Sequence, residues 1–276
     1  MVVSEALKDA IGKLGPAGIE TPRLDAEVIL AHVMGVERYR FITDPSRGLT
    51  ENERKRYMRM IRRRVGREPV AYITGVKEFY SLEFTVTKDV LIPRPETELL
   101  VDLALYYAGM NCRVLDLCTG SGAVAVAVKR MRKDLAVFAS DISDRALSVA
   151  RKNSSKLLGR SAVKFFAGDL FEPFTDGRFG VIVCNPPYID RESSGSLQKE
   201  IFHEPQAALF AGEGGTSVIR RIIREAAAHL EDRGKLILEI GSGMKNFVMD
   251  EGAAAGFSVS VLNDHAGLPR AAVFGE

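Results

Sequence analysis

Apolar positions recur along this chain with two different periods, and the change from one to the other divides it. Over residues 1–68 the spacing is helical throughout and predicts helices at 3–14, 22–34 and 51–65, with no strand between them. Thr21 is placed to cap the second helix with Pro22 at its first position, and Leu24, Val28 and Ala31 fall on one face. The third opens on Thr50-Glu51-Asn52-Glu53, a spacing at which Thr50 and Glu53 satisfy one another's backbone donors. Residues 1–68 are therefore expected to form a small helical domain. Over 69–95 the pattern changes: Phe79, Leu82, Phe84 and Val86 among Thr, Tyr and Ser predict a β-hairpin connector. It leads into Leu91-Ile92-Pro93-Arg94-Pro95, where two prolines stiffen an extended segment.

From residue 96 to 276 short β-rich runs alternate with helical stretches. A helix is expected at 96–108, then strands at 113–117, 136–140, 163–167, 181–184 and 236–240, with helices such as 143–158 and 217–230 between most of them. Two last strands, 258–262 and 270–274, lie close enough in sequence to pair antiparallel at an edge. The fold class is α/β: a Rossmann-like, mostly parallel sheet with an antiparallel edge strand, preceded by the helical domain.

Composition narrows the picture mainly by exclusion. Lys and Arg (38) nearly balance Asp and Glu (36), so the net charge of +2 points neither to a general nucleic-acid binder nor to an acidic partner. Local charge is another matter, since Arg54, Lys55, Arg56, Arg59, Arg62, Arg63 and Arg64 crowd the third helix. They read as a solvated face with Tyr57, Met60, Ile61 and Val65 turned inward, or else as a patch through 54–64 making weak contact with RNA or with an acidic protein surface. Cys112, Cys118 and Cys184 are odd in number and lack CxxC spacing, which fits a reducing compartment and no thiolate metal site. The four histidines are scattered singly, so no metal is assigned. No signal-peptide pattern or membrane-length apolar run is evident, and a soluble, cytoplasmic protein, expected to be a monomer, follows.

The candidate chemistry sits at the ends of the predicted parallel strands. Val114 to Gly122 runs from a strand into Cys118-Thr119-Gly120-Ser121-Gly122 and then a helix, a turn in which glycines let a ligand approach the backbone. Gly120, Gly122 and Ala125 also satisfy the weak dinucleotide fingerprint. Asp116, at the strand end, suits a ligand bearing an ammonium and a sulfonium better than a pyrophosphate, and favours S-adenosylmethionine. Asp141, ending the next strand, is placed for ribose hydroxyls; Asp169-Leu170 are placed for a polar contact and an apolar wall at adenine.

Asn185-Pro186-Pro187-Tyr188 follows a buried strand directly. A planar amide or aromatic-amine nitrogen is a poor nucleophile and has to be held in line with the methyl group it receives. The Asn185 side-chain oxygen and the Pro186 carbonyl can each accept an N–H, the prolines fix φ so that both are aimed in advance, and Tyr188 offers a flat ring.

With these residues in place the chain resembles the HemK/PrmC family of protein-(glutamine-N5) methyltransferases, over nearly its whole length. The resemblance rests on Arg67-Glu68-Pro69-Val70-Ala71-Tyr72-Ile73-Thr74-Gly75 with Glu78-Phe79, on Leu91 to Glu98 (LIPRPETE), on the glycine turn, on the Asn185 segment and on Glu204-Pro205 with Ala208-Leu209. It implies a class I S-adenosylmethionine-dependent methyltransferase acting on the glutamine of the Gly-Gly-Gln motif in peptide chain release factors. Asn185, Pro186, Pro187 and Tyr188 would be catalytic and substrate-binding, joined by Arg94 and Glu204; cofactor contacts would fall to Asp116, Cys118, Thr119, Gly120, Ser121, Gly122, Asp141, Asp169, Leu170 and Asn185. Two departures stand out: Cys118 where the family has glycine, and Ala266 to Arg270 where it has a more polar run. A nucleic-acid amine methyltransferase could use the same Asn185 site; a dehydrogenase would leave that segment unexplained, and a non-catalytic adaptor would not need it.

Overall fold

The first helices are dictated by a face of large apolar side chains and closed by local caps. The computed structural model describes residues 1–159, 162–175, 177–190 and 198–275, with Glu213 by its backbone only. These fall into two compact units: Met1–Val76 with Gln198–His203, and Lys77–Leu197 with Glu204–Glu276.

The helical unit contains α1 (Val3–Leu14), α2 (Pro22–Met34), α3 (Arg40–Thr43), α4 (Glu51–Val65) and α5 (Val70–Thr74). Its core gathers Leu14, Ile29, Leu30, Tyr57 and Ile61, and the Tyr57 hydroxyl donates to the Ala26 carbonyl at 3.2 Å. The α4 capping box forms as its sequence predicts, with Glu53 N donating to Thr50 Oγ1 (3.2 Å) and Thr50 N to Glu53 Oε2 (2.7 Å).

Three local expectations fail. Thr21 does not cap α2, because its hydroxyl donates instead to Asp25 Oδ1 at 2.9 Å. The buried face of α2 is Ala26, Ile29, Leu30 and Val33, while Leu24 lies exposed. On α4, Val65 is exposed and Arg64 is buried in its stead: its Nε donates to Asp25 Oδ2 (2.7 Å) and its Nη1 to Glu200 Oε1 (2.9 Å). Much of the remaining charge on α4 is also spent locally, Arg54 and Lys55 on Glu51 and Arg63 on Glu68.

The stretch 69–95 holds more than a hairpin. Helix α5 comes first, followed by strands β1 (Val76–Phe79) and β2 (Leu82–Thr85) as a two-stranded sheet.

The larger unit is built on a main sheet of seven described strands. These are β3 (Arg113–Leu117), β4 (Ala136–Asp141), β5 (Lys164–Ala167), β6 (Phe179–Cys184), β7 (Leu230–Glu239), β8 (Ser258–Asn263) and β9 (Pro269–Gly275), in the spatial order β5-β4-β3-β6-β7-β9-β8. The first five pair in parallel; β9 is inserted antiparallel between β7 and β8. Side chains alternate between the two faces. Val114, Val181, Val183 and Ile237 pack on one side with α6 (Glu98–Tyr107), α7 (Ala123–Met131) and α8 (Asp144–Leu158). After the short α9 (Gln206–Leu209) come α10 (Ser217–His229) and α11 (Lys245–Ala254), and Leu115, Leu117, Ile182, Cys184 and Leu236 pack on the other side with these two. Burial on both faces accounts for the nearly uninterrupted apolar runs of these strands. Strand order reverses about β3, so a crevice opens at the carboxyl ends of β3, β4 and β6, where open α/β sheets bind ligands.

Candidate active site

The turn from β3 into α7 is held from below. Cys118, Gly120 and Gly122 take positive φ values of 54°, 56° and 79°, a conformation natural to glycine and strained for the cysteine. A side chain on Gly122 would press against Ala150 Cβ at 3.1 Å, so this glycine also lets the turn seat on α8. Asp116 is the keel of the turn: its Oδ2 accepts from Thr119 Oγ1 (2.6 Å) and from Ala125 N (3.1 Å). Burial pushes its carboxyl up to about 7, against the pull of those two hydrogen bonds.

A cavity of about 470 Å³ lies above the turn, of the size that small-molecule sites occupy. Cys118, Gly120, Asp141, Asp169, Leu170 and Asn185 all line it, with Pro187 alongside. Six of the residues expected at the cofactor thus meet around one space. Asp116, Thr119, Ser121 and Gly122 lie outside that lining, and all four are buried. The Asp141 carboxylate is fixed by Gly120 N and Ser143 N, each donating at 2.9 Å, and burial raises its pKa. Asp169 Oδ2 accepts from Arg221 Nη2 at 2.9 Å, which brings α10 to the cavity's rim.

At the end of β6, Asn185 is half-buried and Pro186 buried. Asn185 Nδ2 donates to Thr97 Oγ1 (3.2 Å), and that hydroxyl donates to Glu239 Oε2 (2.6 Å). The Tyr188 hydroxyl donates to the other oxygen of the same carboxylate, Oε1, at 3.1 Å. Its ring is therefore tethered at the far end, and its phenol is pushed up by burial and by the Glu239 charge. Gly215 packs so closely on the Tyr188 carbonyl that a β-carbon there would collide with it.

Arg94 and Glu204 are spent on each other. Glu204 Oε1 accepts from Arg94 Nη2 at 2.5 Å and Oε2 accepts from Ile92 N at 3.0 Å, and neither residue lines the cavity. The pair anchors the Ile92–Arg94 segment to the start of Pro205, which does line it.

Comparison with known proteins adds to this geometry. Residues 5–75 match the model of the PrmC N-terminal domain and residues 96–215 that of the methyltransferase small domain. A release factor glutamine methyltransferase of Neisseria gonorrhoeae is 42% identical over 90% of this chain and 92% of its own length. One from Koribacter versatilis is 37% identical over 99% and 98%. The chain belongs to the release factor glutamine methyltransferases. The larger unit of this methyltransferase also has the class I fold: a methyltransferase from Pyrococcus furiosus superposes with a TM-score of 0.55 at 20% identity, covering 82% of this chain and 98% of that one.

Four residues at the methyltransferase site escape a reading of the sequence as chemistry. Thr97 sits inside the LIPRPETE run, which marks the family without announcing a role for its hydroxyl. Glu239 had a signal, a carboxylate directly after the apolar run Leu236-Ile237-Leu238 at the carboxyl end of β7. Arg221 had none, being one of several cations on an amphipathic helix. Arg270 ends the divergent 266–270 run and lies in β9; its guanidinium is held by Asp264 at 3.2 Å and its charge bears on both Tyr188 and Glu239.

Proposed function

We propose that this methyltransferase moves a methyl group from S-adenosylmethionine to the side-chain amide nitrogen, N5, of the glutamine in the Gly-Gly-Gln motif of peptide chain release factors. The observation that carries the reading is that Asn185, the group suited to holding a planar NH₂, lines the same cavity as the acidic strand ends Asp141 and Asp169 and the glycine turn. A site that only bound a nucleotide would have no use for the Asn-Pro-Pro-Tyr segment there.

The residues present suit the cofactor. Asp141, already fixed by two backbone donors, can accept from ribose hydroxyls; Asp169 and Leu170 can meet the adenine edge and face; the 118–122 turn offers its backbone to the amino-acid end. Asp116 acts through that turn, by shaping it with the hydrogen bonds it accepts from Thr119 and Ala125, rather than by direct contact. When bound, the cofactor supplies an electrophilic methyl on a cationic sulfur.

On the substrate side, Asn185 Oδ1 and the Pro186 carbonyl accept the two N–H bonds of the glutamine amide. Holding both turns the nitrogen lone pair toward the cavity, and partial charge on the nitrogen is stabilised by acceptors already in place. No nucleophilic side chain is consumed: the nitrogen would release its proton to solvent as its new bond to carbon forms and the methyl–sulfur bond breaks, with S-adenosylhomocysteine as the leaving product. Arg94 and Glu204 contribute indirectly, by fixing the segments that border the cavity. The helical unit would engage the release factor away from its glutamine.

The test is to incubate the protein with S-adenosylmethionine and a purified release factor and to locate added methyl by peptide mass spectrometry, with Asn185→Ala alongside. One methyl on the Gly-Gly-Gln glutamine, lost in the variant, is the expected result. Transfer to DNA or RNA with none to the release factor would instead make this a nucleic-acid amine methyltransferase using the same site.

A further inference from the structure

Asn185 can present either an acceptor or a donor to the cavity, depending on which way its amide is turned, and the glutamine NH₂ requires the acceptor. Deeper side chains settle the choice. Thr97 is 5% exposed and its hydroxyl has one hydrogen. That hydrogen goes to Glu239 Oε2 at 2.6 Å, so Thr97 can only accept from Asn185, whose Nδ2 stands 3.2 Å away. With its NH₂ engaged there, Asn185 is left with Oδ1 to offer elsewhere.

The direction of this chain of hydrogen bonds depends on the charge of Glu239. An ionised carboxylate only accepts, so the hydroxyls of Thr97 and Tyr188 both point at it. A protonated Glu239 can donate to Thr97 through Oε2. The Thr97 hydrogen then turns to Asn185, which has to present Oδ1 to Thr97 and NH₂ to the cavity, placing donor against donor at the substrate amide.

We propose that Glu239 and Thr97 are positioning residues whose polarised hydrogen bonds set the orientation of the Asn185 amide, so that methyl transfer requires ionised Glu239. This rests on the reading of Asn185 as the acceptor for the glutamine amide.

The surroundings of Glu239 make its charge state responsive to pH. It is 2% exposed, and burial raises its pKa; the hydrogen bonds from Thr97 and Tyr188 and the Arg270 charge on β9 pull it back, while Glu96 pushes the same way as burial. Arg270 in turn is shared with Asp264. The carboxylate therefore titrates closer to neutrality than an exposed glutamate does.

The experiment compares Thr97→Val, Thr97→Ser and Glu239→Gln with the wild type in the full chain, measuring kcat and KM on release factor from pH 5.5 to 9 and cofactor affinity by calorimetry. Thr97→Val keeps the shape and removes the hydroxyl; it should lower kcat about 10–100-fold, the scale of a misplaced reacting group, with cofactor affinity within about threefold of wild type. Thr97→Ser should restore most of that loss. Because glutamine is isosteric with protonated glutamate, the ratio of wild-type to Glu239→Gln kcat should be largest at pH 9 and should fall as the pH is lowered. A Thr97→Val protein with wild-type kcat, or a ratio flat across the range, would overturn the proposal. Should Glu239→Gln fail to fold, the Thr97 pair decides alone. Asn185→Ala separates the two readings: if it stays fully active, both fail; if it is dead while Thr97→Val is unimpaired, the relay alone fails.

Discussion

Asp116 and Asp141 end neighbouring strands, yet the fold uses them in opposite ways. Asp141 faces the cavity with both oxygens held by backbone N–H groups, whereas Asp116 is turned under the loop and 2% exposed. A carboxyl raised to about 7 from 3.8 favours the neutral form in the folded state. Its contribution to stability is therefore fully present below about pH 4, where folded and unfolded forms are both protonated, and is lost as pH rises through 7. Asp116→Asn keeps an acceptor for Thr119 and Ala125 but cannot ionise. Its unfolding free energy relative to wild type should rise by ~2–4 kcal/mol between pH 4 and 8 in urea melts, and a difference that does not change with pH would rule out this origin of the shift. The sequence made both aspartates visible because both follow strands. Which way each side chain turned was not legible, since that depends on the left-handed steps at Cys118 and Gly120.

At the level of elements, periodicity read the helices well wherever burial was apolar. Tyr57, Met60 and Ile61 on α4 are inside as their spacing predicts, and the Thr50–Glu53 box is formed. The period failed at Arg64, which looked like one cation among many on a solvated face. Its burial depends on Asp25, 39 positions away, and on Glu200, 136 away, and no local pattern encodes such a meeting. An arginine whose side chain is 8% exposed, between carboxylates 10% and 17% exposed, is an interaction that a single deletion breaks expensively. Arg64→Met retains the aliphatic stem and leaves Asp25 without its cation, while Glu200 keeps Arg67 at 2.7 Å. The helical unit should lose ~2–4 kcal/mol in chemical denaturation, and a loss below about 0.5 kcal/mol would place Arg64 among the ordinary surface ion pairs. Glu239 presents the same problem in a strand: its position could be read, but its partners at 97 and 188 could not.

For the larger unit as a whole, the alternation of strands and helices predicted a parallel sheet and an antiparallel terminal pair, and topology then fixed where the cavity had to lie. The walls of that cavity are another matter, because Phe210, Val218 and Arg221 reach it from beyond the Glu204-Pro205 motif, where the sequence carries no signature of a binding site. Arg221 shows what such a wall residue contributes. Its ion pair with Asp169 spans 52 positions, and the two side chains are 50% and 40% exposed, so solvent screens the attraction and the pair adds little to folding. Its value lies in holding Asp169 still at the place proposed for the adenine edge. A side chain ordered before the ligand arrives spares binding the cost of ordering it, ~0.5–1.5 kcal/mol for one rotamer-rich group. Arg221→Ala should therefore leave the unfolding free energy within about 0.5 kcal/mol of wild type while weakening S-adenosylmethionine about 3–10-fold by calorimetry. Equal losses in stability and affinity would mean that Arg221 braces α10 instead, and unchanged affinity would mean that Asp169 needs no partner to stay in place.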